Sequence, residues 1–245
     1  MPFFSIIIAT YNSELLVERT LTSILKQDFE DYEIIIIDGK SSDNTLNIIN
    51  KYSTQIKKVI SEIDFGIYDA WNKGLSLAEG KWIMFLGSDD LLCTSSLKNY
   101  YNFVINSELD IEYVSSLVQT IDTNGNLNRI IGKPWRWNVF KKYMCVAHVG
   151  SLHKNELFLK YGKFNTNYKI TGDYEFLLRA KDKLVASFLN QITAKMQIGG
   201  ISVNNQSFIE TFNAKTITGG RNKIIAFIEM IKAILIQKIR TILKL

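Results

Sequence analysis

KWIMFLGSDD, residues 81–90, is a short apolar run closed by two adjacent carboxylates. The run suits a β-strand buried on both faces. Asp89 and Asp90 repel each other at its end, so their pairing asks for an explanation. Three earlier segments share the form. Phe3 to Ala9 leads into Thr10, Tyr11 and Asn12; Tyr32 to Ile37 leads into Asp38, Gly39, Ser41 and Ser42; Lys57 to Ile60 leads into Glu62 and Asp64. Helical patterns over Glu14 to Gln27, Asp43 to Tyr52 and Ile67 to Glu79 lie between them. Strand and helix therefore alternate as in the βαβ units of a parallel sheet. Open parallel sheets bind ligands beyond the carboxyl ends of their strands. One polar loop needs no function, because turns favour Asp, Asn, Ser and Gly; four at one sheet edge form a candidate site.

Ile67, Ala70, Trp71, Gly74, Leu75 and Ala78 make an apolar stripe for a helix lying on the sheet. Asp69, Asn72, Lys73 and Ser76 share another face, which also fits a plain solvated surface. Ser42 is expected to cap the second helix, with Asp43 in its first turn, and Gly80 to follow the end of the third. After Asp90 the rhythm changes. Ile111 to Ile121 and Leu127 to Ile131 flank DTNGN and predict a hairpin. Next come Trp135, Trp137, Lys141, Lys142, His148 and His153, a helix over Asp173 to Ala180, and strand-like sequence from Leu184 to Val203 interrupted by Gly199 and Gly200.

With 245 residues, 47% of them apolar, the chain can bury the core of a large α/β domain, which excludes a disordered or fibrous class. Two prolines leave no Pro-rich linker. Cys93 and Cys145 have neither metal-ligand nor disulfide-framework spacing and suit a reducing, cytoplasmic compartment. MPFFSIIIATYN lacks a basic n-region and a cleavage site, so it reads as a strand and not a signal peptide. The formal charge of +5 lies entirely from Arg221 onward, where six cations meet only Glu229; the other 23 Lys/Arg and 23 Asp/Glu cancel. The body therefore gives no reason to expect nucleic acid. Residues 222–245 are too charged for a spanning helix and read as an amphipathic interfacial one, with Lys232, Lys238, Arg240 and Lys244 toward anionic head groups. A terminal helix packed on the domain, or one side of a homodimer, is the plainer alternative.

A carboxylate pair at a strand end is most simply explained by a divalent cation. Oxygen ligands of this kind suit magnesium or manganese completed by substrate phosphates. Neither a Walker loop nor GxGxxG is present, which argues against a P-loop NTPase and a Rossmann dehydrogenase. Metal-assisted handling of a nucleoside diphosphate remains.

SIIIATYN (5–12), EIIIIDGKSSDNT (33–45), SEIDFGIYDAWNKG (61–74) and FLGSDD (85–90) resemble the family 2 glycosyltransferases of the GT-A fold, especially bacterial cell-surface polysaccharide enzymes; TGDYEFLLR (171–179) and GGIS (199–202) continue the likeness more sparsely. The resemblance implies an α/β GT-A fold: a Rossmann-like, mostly parallel sheet flanked by helices, over residues 1–220. Residues 1–92 would bind the nucleotide-sugar and 93–220 the acceptor, with 221–245 a basic amphipathic C-terminal helix. Thr10, Tyr11 and Asn12, with Asp38 and Gly39, would hold the nucleoside, usually uridine; Asp69, Asn72 and Lys73 would face the ribose or diphosphate. Asp90 would bind Mn2+ or Mg2+. Ser88 stands where a strict DxD has its first carboxylate, so Asp89 binds metal directly, acts through water, or meets sugar hydroxyls.

An inverting transfer needs a base opposite the leaving diphosphate. Asp173 matches the family's base position; Glu175 competes for it, and a helix cap is the ordinary use of an Asp there. Trp135 and His148 are candidate acceptor or diphosphate contacts, His153 a weaker one. The activity implied is an inverting hexosyltransferase in O-antigen or capsule repeat-unit biosynthesis, acting on a polyprenyl-diphosphate-linked glycan at the inner face of the cytoplasmic membrane, where the enzyme would be peripheral. A catalytically silent nucleotide-sugar or glycan-binding module is the alternative. A nucleotidyltransferase would carry a glycine-rich basic loop after strand one, and Thr10 to Ser13 has none.

Overall fold

A computed structural model describes residues 1–122, 125–198 and 205–243. In chain order the elements are β1 (Phe4–Thr10), α1 (Val17–Leu25), β2 (Tyr32–Asp38), α2 (Thr45–Asn50), β3 (Lys58–Ser61), α3 (Ile67–Leu75), β4 (Trp82–Gly87), β5 (Leu91–Leu92) and α4 (Ser96–Ile105). Then follow β6 (Tyr113–Ile121), β7 (Leu127–Ile131), α5 (Trp137–Phe140), β8 (Leu152–Lys154), α6 (Glu156–Tyr161), α7 (Gly172–Ala180), β9 (Ala186–Gln197), α8 (Asn205–Asn213), a π-helical turn over Ala214–Thr218, and α9 (Lys223–Leu243).

The strands form one sheet in the order β3-β2-β1-β4-β8-β6-β9-β5, with β7 paired to β6. β3, β2, β1 and β4 are mutually parallel, as are β6 and β9; the short β8 lies antiparallel between β4 and β6. The expected mostly parallel sheet is thus present, and it runs unbroken across residue 92. The central strands are apolar at most positions because they bury both faces. Phe4, Ile6, Ile8, Ile34 and Ile36 pack under α1, α2 and α4, while Ile7, Ile35 and Ile37 pack under α3 and α7. The register aligns the strand ends: Thr10 lies beside Asp38, Asp38 beside Ser61, and Ala9 beside Gly87.

Local expectations differ in detail. Ser42 does not cap α2. Its N–H is held by Asn12 Oδ1, and Asn44 occupies the cap position. α3 ends at Leu75, earlier than Glu79, and Gly80 serves another purpose. Its N–H donates to Ser5 Oγ, and a Cβ there would lie 2.5 Å from the Ser5 nitrogen, so glycine permits close backbone approach before β4. The hairpin forms from β6 and β7, with residues 123–124 of its turn outside the described residues. β9 ends at Gln197, and the GGIS motif also lies outside them.

Candidate active site

The four strand ends meet at the carboxyl edge of β1 to β4. Asp38 is fully buried. Its Oδ1 accepts from Ser41 Oγ, and its Oδ2 accepts from the Ser41 N–H and from Ser61 Oγ at 2.6 Å. It therefore ties the β2 and β3 ends together and fixes the 39–42 loop, with its oxygens turned away from open space. Asn12 adopts a left-handed φ of 46° and completes the clasp, its N–H donating to Ser41 Oγ. Thr10 is buried, and its Oγ1 has no hydrogen-bond partner among the described residues. A side chain at Gly39 would fall 2.7 Å from Asp64 Oδ2 and 3.3 Å from the Tyr11 ring, so these three residues lie against one another. Tyr11 is 62% exposed, an aromatic face free for stacking.

Asp89 and Asp90 fold back over Gly87, where a Cβ would lie 2.8 Å from Asp89 Oδ1 and 3.1 Å from Asp90 Oδ2. The Gly87 N–H donates to Asp90 Oδ2 at 2.8 Å. Burial, and secondarily the Asp89 charge, push the Asp90 carboxyl up to about 8; burial raises Asp89 too. No cation of the protein pairs with either among the described residues. Two crowded carboxylates without a countercharge fit one hard divalent ion completed by substrate oxygens. The protein gathers no cluster of three or more ligands among the described residues. Ser88 faces elsewhere: its hydroxyl meets Ser13 Oγ at 2.6 Å and its carbonyl accepts from Thr20.

Lys73 bridges Asp69 at 3.3 Å and Glu62 at 2.9 Å and donates to Ile63 O, while Asp69 also accepts the Phe65 N–H. The pair closes the loop entering α3, its charges mutually satisfied. Asn72 is engaged within the protein: its amide makes two 2.9 Å bonds to the backbone of Phe164, 92 residues away.

Asp173 sits in the first turn of α7, two residues past the Thr171 cap position, and so is not itself the cap. Its Oδ1 accepts from the Tyr174 N–H, and the Tyr68 hydroxyl lies 3.0 Å from that oxygen and 2.8 Å from Ile170 O. Burial, then the Asp173 charge, hold the Tyr68 phenol well above its usual range, so it is a proton donor at all working pH. Tyr68 opens α3, which places Asp173 at the carboxyl edge of the sheet. The loop before Asp173 is fastened by Glu210 of α8. One oxygen accepts the Lys169 N–H and the other those of Ile170 and Thr171. Burial alone would raise this carboxyl, but the three N–H groups outweigh it and lower its pKa.

Glu175 is engaged within the protein. It is buried, doubly bonded to Arg179, and accepts from Thr218 Oγ1 at 2.9 Å. His148 lies inside an aromatic cluster, stacked on Trp71 at 5.2 Å and 5.0 Å from His153. Burial lowers its pKa, partly countered by Asp173, so the ring is neutral; its Nε2 has no partner among the described residues. Burial lowers His153 further. Trp135 packs on Phe140 at 4.1 Å, and Phe140 on Tyr174 at 5.0 Å, which brings it beside α7. Tyr68 and Glu210 escaped sequence reading. Their partners lie 39 to 105 residues away, and no local pattern marks them.

A family model described as Glycosyl transferase family 2 matches residues 5–174. A PGL/p-HBAD biosynthesis glycosyltransferase of Mycobacterium tuberculosis is 29% identical over 238 residues, covering 91% of this chain and 89% of that protein. Among solved structures, residues 1–349 of S. aureus TarS in complex with UDP superpose with a TM-score of 0.71 at 21% identity, covering 94% of this chain and 70% of that one. The mannosyltransferase PcManGT of Pyrobaculum calidifontis, solved with GDP-Man and Mn2+, gives 0.66 at 19% identity, covering 94% and 69%.

Proposed function

This chain belongs to glycosyltransferase family 2 and has the GT-A fold, and from that premise we propose that it moves a sugar from a UDP-sugar to a glycan hydroxyl with inversion. The observation that carries the reading is Asp90, a buried carboxyl with no cation paired to it among the described residues, at the end of the strand beside the one that leads into Tyr11. On the exposed Tyr11 ring the uracil would stack, while Asp38 acts through the loop it fixes and Thr10 Oγ1 offers an unused hydrogen bond. Asp90 would hold Mn2+ or Mg2+, with Asp89 directly or through water. When bound, the ion neutralises the donor diphosphate and the charge left on UDP.

Asp173 is the base. Its Oδ1 is anchored by Tyr68 and Tyr174, and Oδ2 carries no hydrogen bond among the described residues, so Oδ2 takes the acceptor hydroxyl's proton as that oxygen attacks the anomeric carbon. Glu175 stays paired with Arg179. Trp135 belongs to the acceptor side.

No helix among the described residues is long and apolar enough to cross a membrane. α9 instead docks through Ala226 and Glu229, the latter bonded to Lys215 and Arg221, and turns Ile224, Ile228, Ile231, Leu235 and Ile239 outward on one stripe. That stripe, with Lys232 and Lys238, would rest on the anionic inner leaflet and bring the enzyme to a lipid-linked acceptor. Asp173→Asn tests the assignment of the base. UDP binding is expected to persist while UDP release from donor and acceptor together falls at least a thousandfold; retained turnover removes Asp173 from the role.

A further inference from the structure

The loop between β3 and α3 is tied down at its backbone while its largest side chains are left in water. Gly66 turns it with a φ of 112°, and the Gly66 N–H donates to Asp64 Oδ1. The Phe65 N–H donates to Asp69 Oδ2, the Glu62 N–H to Asp38 O, and Lys73 Nζ to Ile63 O. From the other half of the chain, Lys169 Nζ donates to Phe65 O at 2.6 Å. Yet Ile63 is 65% exposed and Phe65 74%. Scattered exposed apolar residues are ordinary. An aromatic ring displayed from a backbone already fixed is different, because the ordering cost of binding is met before a ligand arrives.

Contacts place this loop beside the reaction. Lys169 lies four residues before Asp173, and Tyr68, three residues after Phe65, holds Asp173 Oδ1 at 3.0 Å. On the other side a Cβ at Gly39 would fall 2.7 Å from Asp64 Oδ2, so the loop also adjoins the end of β2. The donor's own sugar would hang from the diphosphate at Asp90, at the end of β4, which β1 and β2 separate from β3. The acceptor is the remaining reactant, and its hydroxyl must come to Asp173, which the loop adjoins.

The chemistry of the loop suits a sugar ring. A pyranose offers a face of C–H bonds, whose positive hydrogens match the negative face of an aromatic ring, and hydroxyls around its rim. Glu62 Oε1 and Asp69 Oδ2 are committed to Lys73, whereas Glu62 Oε2 and Asp69 Oδ1 carry no bond among the described residues and can accept those hydroxyls. The two cations that touch the loop are engaged: Lys73 with these carboxylates, Lys169 with the carbonyls of Phe65 and Thr166. A uronate or a phosphate would therefore meet carboxylates without a free cation of the loop. We infer that Phe65, with Ile63, Glu62 and Asp69, forms a subsite for an uncharged hexopyranose of the acceptor, held beside Asp173. This rests on the glycosyltransferase reading and makes Phe65 a specificity-determining residue on the acceptor side.

The test is saturation-transfer NMR on the full chain loaded with UDP and Mg2+, with methyl β-glucoside, methyl β-galactoside, methyl α-mannoside and methyl β-glucuronide as probes. At least one uncharged glycoside is expected to bind, with saturation strongest on the C–H protons of one ring face, and the glucuronide to bind at least about tenfold more weakly. In Phe65→Ala the affinity for that glycoside is expected to fall at least about tenfold and in Phe65→Tyr to stay within about threefold of wild type, with UDP affinity unchanged in both. Unchanged UDP binding also shows that the variants are folded. The inference is overturned if no uncharged glycoside binds, if Phe65→Ala binds it as well as the wild type does, or if the glucuronide binds as tightly. UDP affinity that falls in Phe65→Ala assigns the ring to the nucleoside, and self-association abolished by Phe65→Ala without glycoside binding assigns it to a second copy; either result overturns the inference too. If UDP binds and the glycosides do not, this inference alone fails; if UDP does not bind, the donor reading fails, and titration of the unloaded protein with the glycosides still decides the subsite.

Discussion

Asp90→Asn should stabilise the metal-free protein while destroying its metal site. Burial and Asp89 lift the Asp90 carboxyl from its ordinary 3.8 to about 8. Below the ordinary value, folded and unfolded chains both hold the proton, and stability does not depend on this group. Between about 4 and 8 the folded chain keeps a proton that the unfolded chain has lost, so stability falls as pH rises, by about 1.4 kcal/mol per unit. Above about 8 the loss is complete. From pH 5 to pH 8 the metal-free wild type therefore loses about 4 kcal/mol through this group, an upper figure. Asp89, also raised by burial, acts with the same sign. His148 and His153, buried and neutral, act oppositely toward low pH, but they do so in both proteins, so the difference between wild type and Asp90→Asn isolates the carboxylate. Urea unfolding in chelator at pH 5, 6.5 and 8 measures it. The wild-type curve should fall relative to the variant with rising pH, and added Mn2+ should restore the wild type only. Parallel curves across this range would refute the claim that Asp90 is a buried carboxyl awaiting a cation.

Other consequences follow from residues far from the strand ends. Glu210→Ala leaves the N–H groups of Lys169, Ile170 and Thr171 without their acceptor and should cost about 3 kcal/mol in thermal or urea unfolding. It should lower kcat with UDP affinity intact, and Glu210→Gln, which keeps an accepting oxygen, should recover part of the loss. Glu229→Ala strands the buried Lys215 beside Arg221 and should destabilise by about 3 kcal/mol, freeing α9 and raising its amide exchange.

β1, β2 and β4 are legible in the sequence because both their faces are buried: long apolar runs followed by polar ends admit few other readings, whereas the short, partly exposed β3 is legible only from its place between two helical patterns. α3 is legible from its stripe, although its end is not, since Gly80 serves the approach of Ser5 and no helix cap. β5 and β8, of two and three residues, are too short for any periodicity, and β8 enters between β4 and β6 through pairing alone. The same limit governs the site. Residues at strand ends announce themselves by position, so Thr10, Asp38 and Asp90 are readable as candidates. Which oxygens are left open depends on partners distant in sequence: Phe164 engages Asn72, Arg179 and Thr218 engage Glu175, and Ser41 and Ser61 engage Asp38.

Calorimetric titration of UDP into the full chain, with and without Mn2+ and with GDP for comparison, tests the central claim most directly. Binding that requires Mn2+, favours UDP and is lost in Asp90→Asn is the predicted result. UDP binding that is equally tight without the metal and in Asp90→Asn would contradict it.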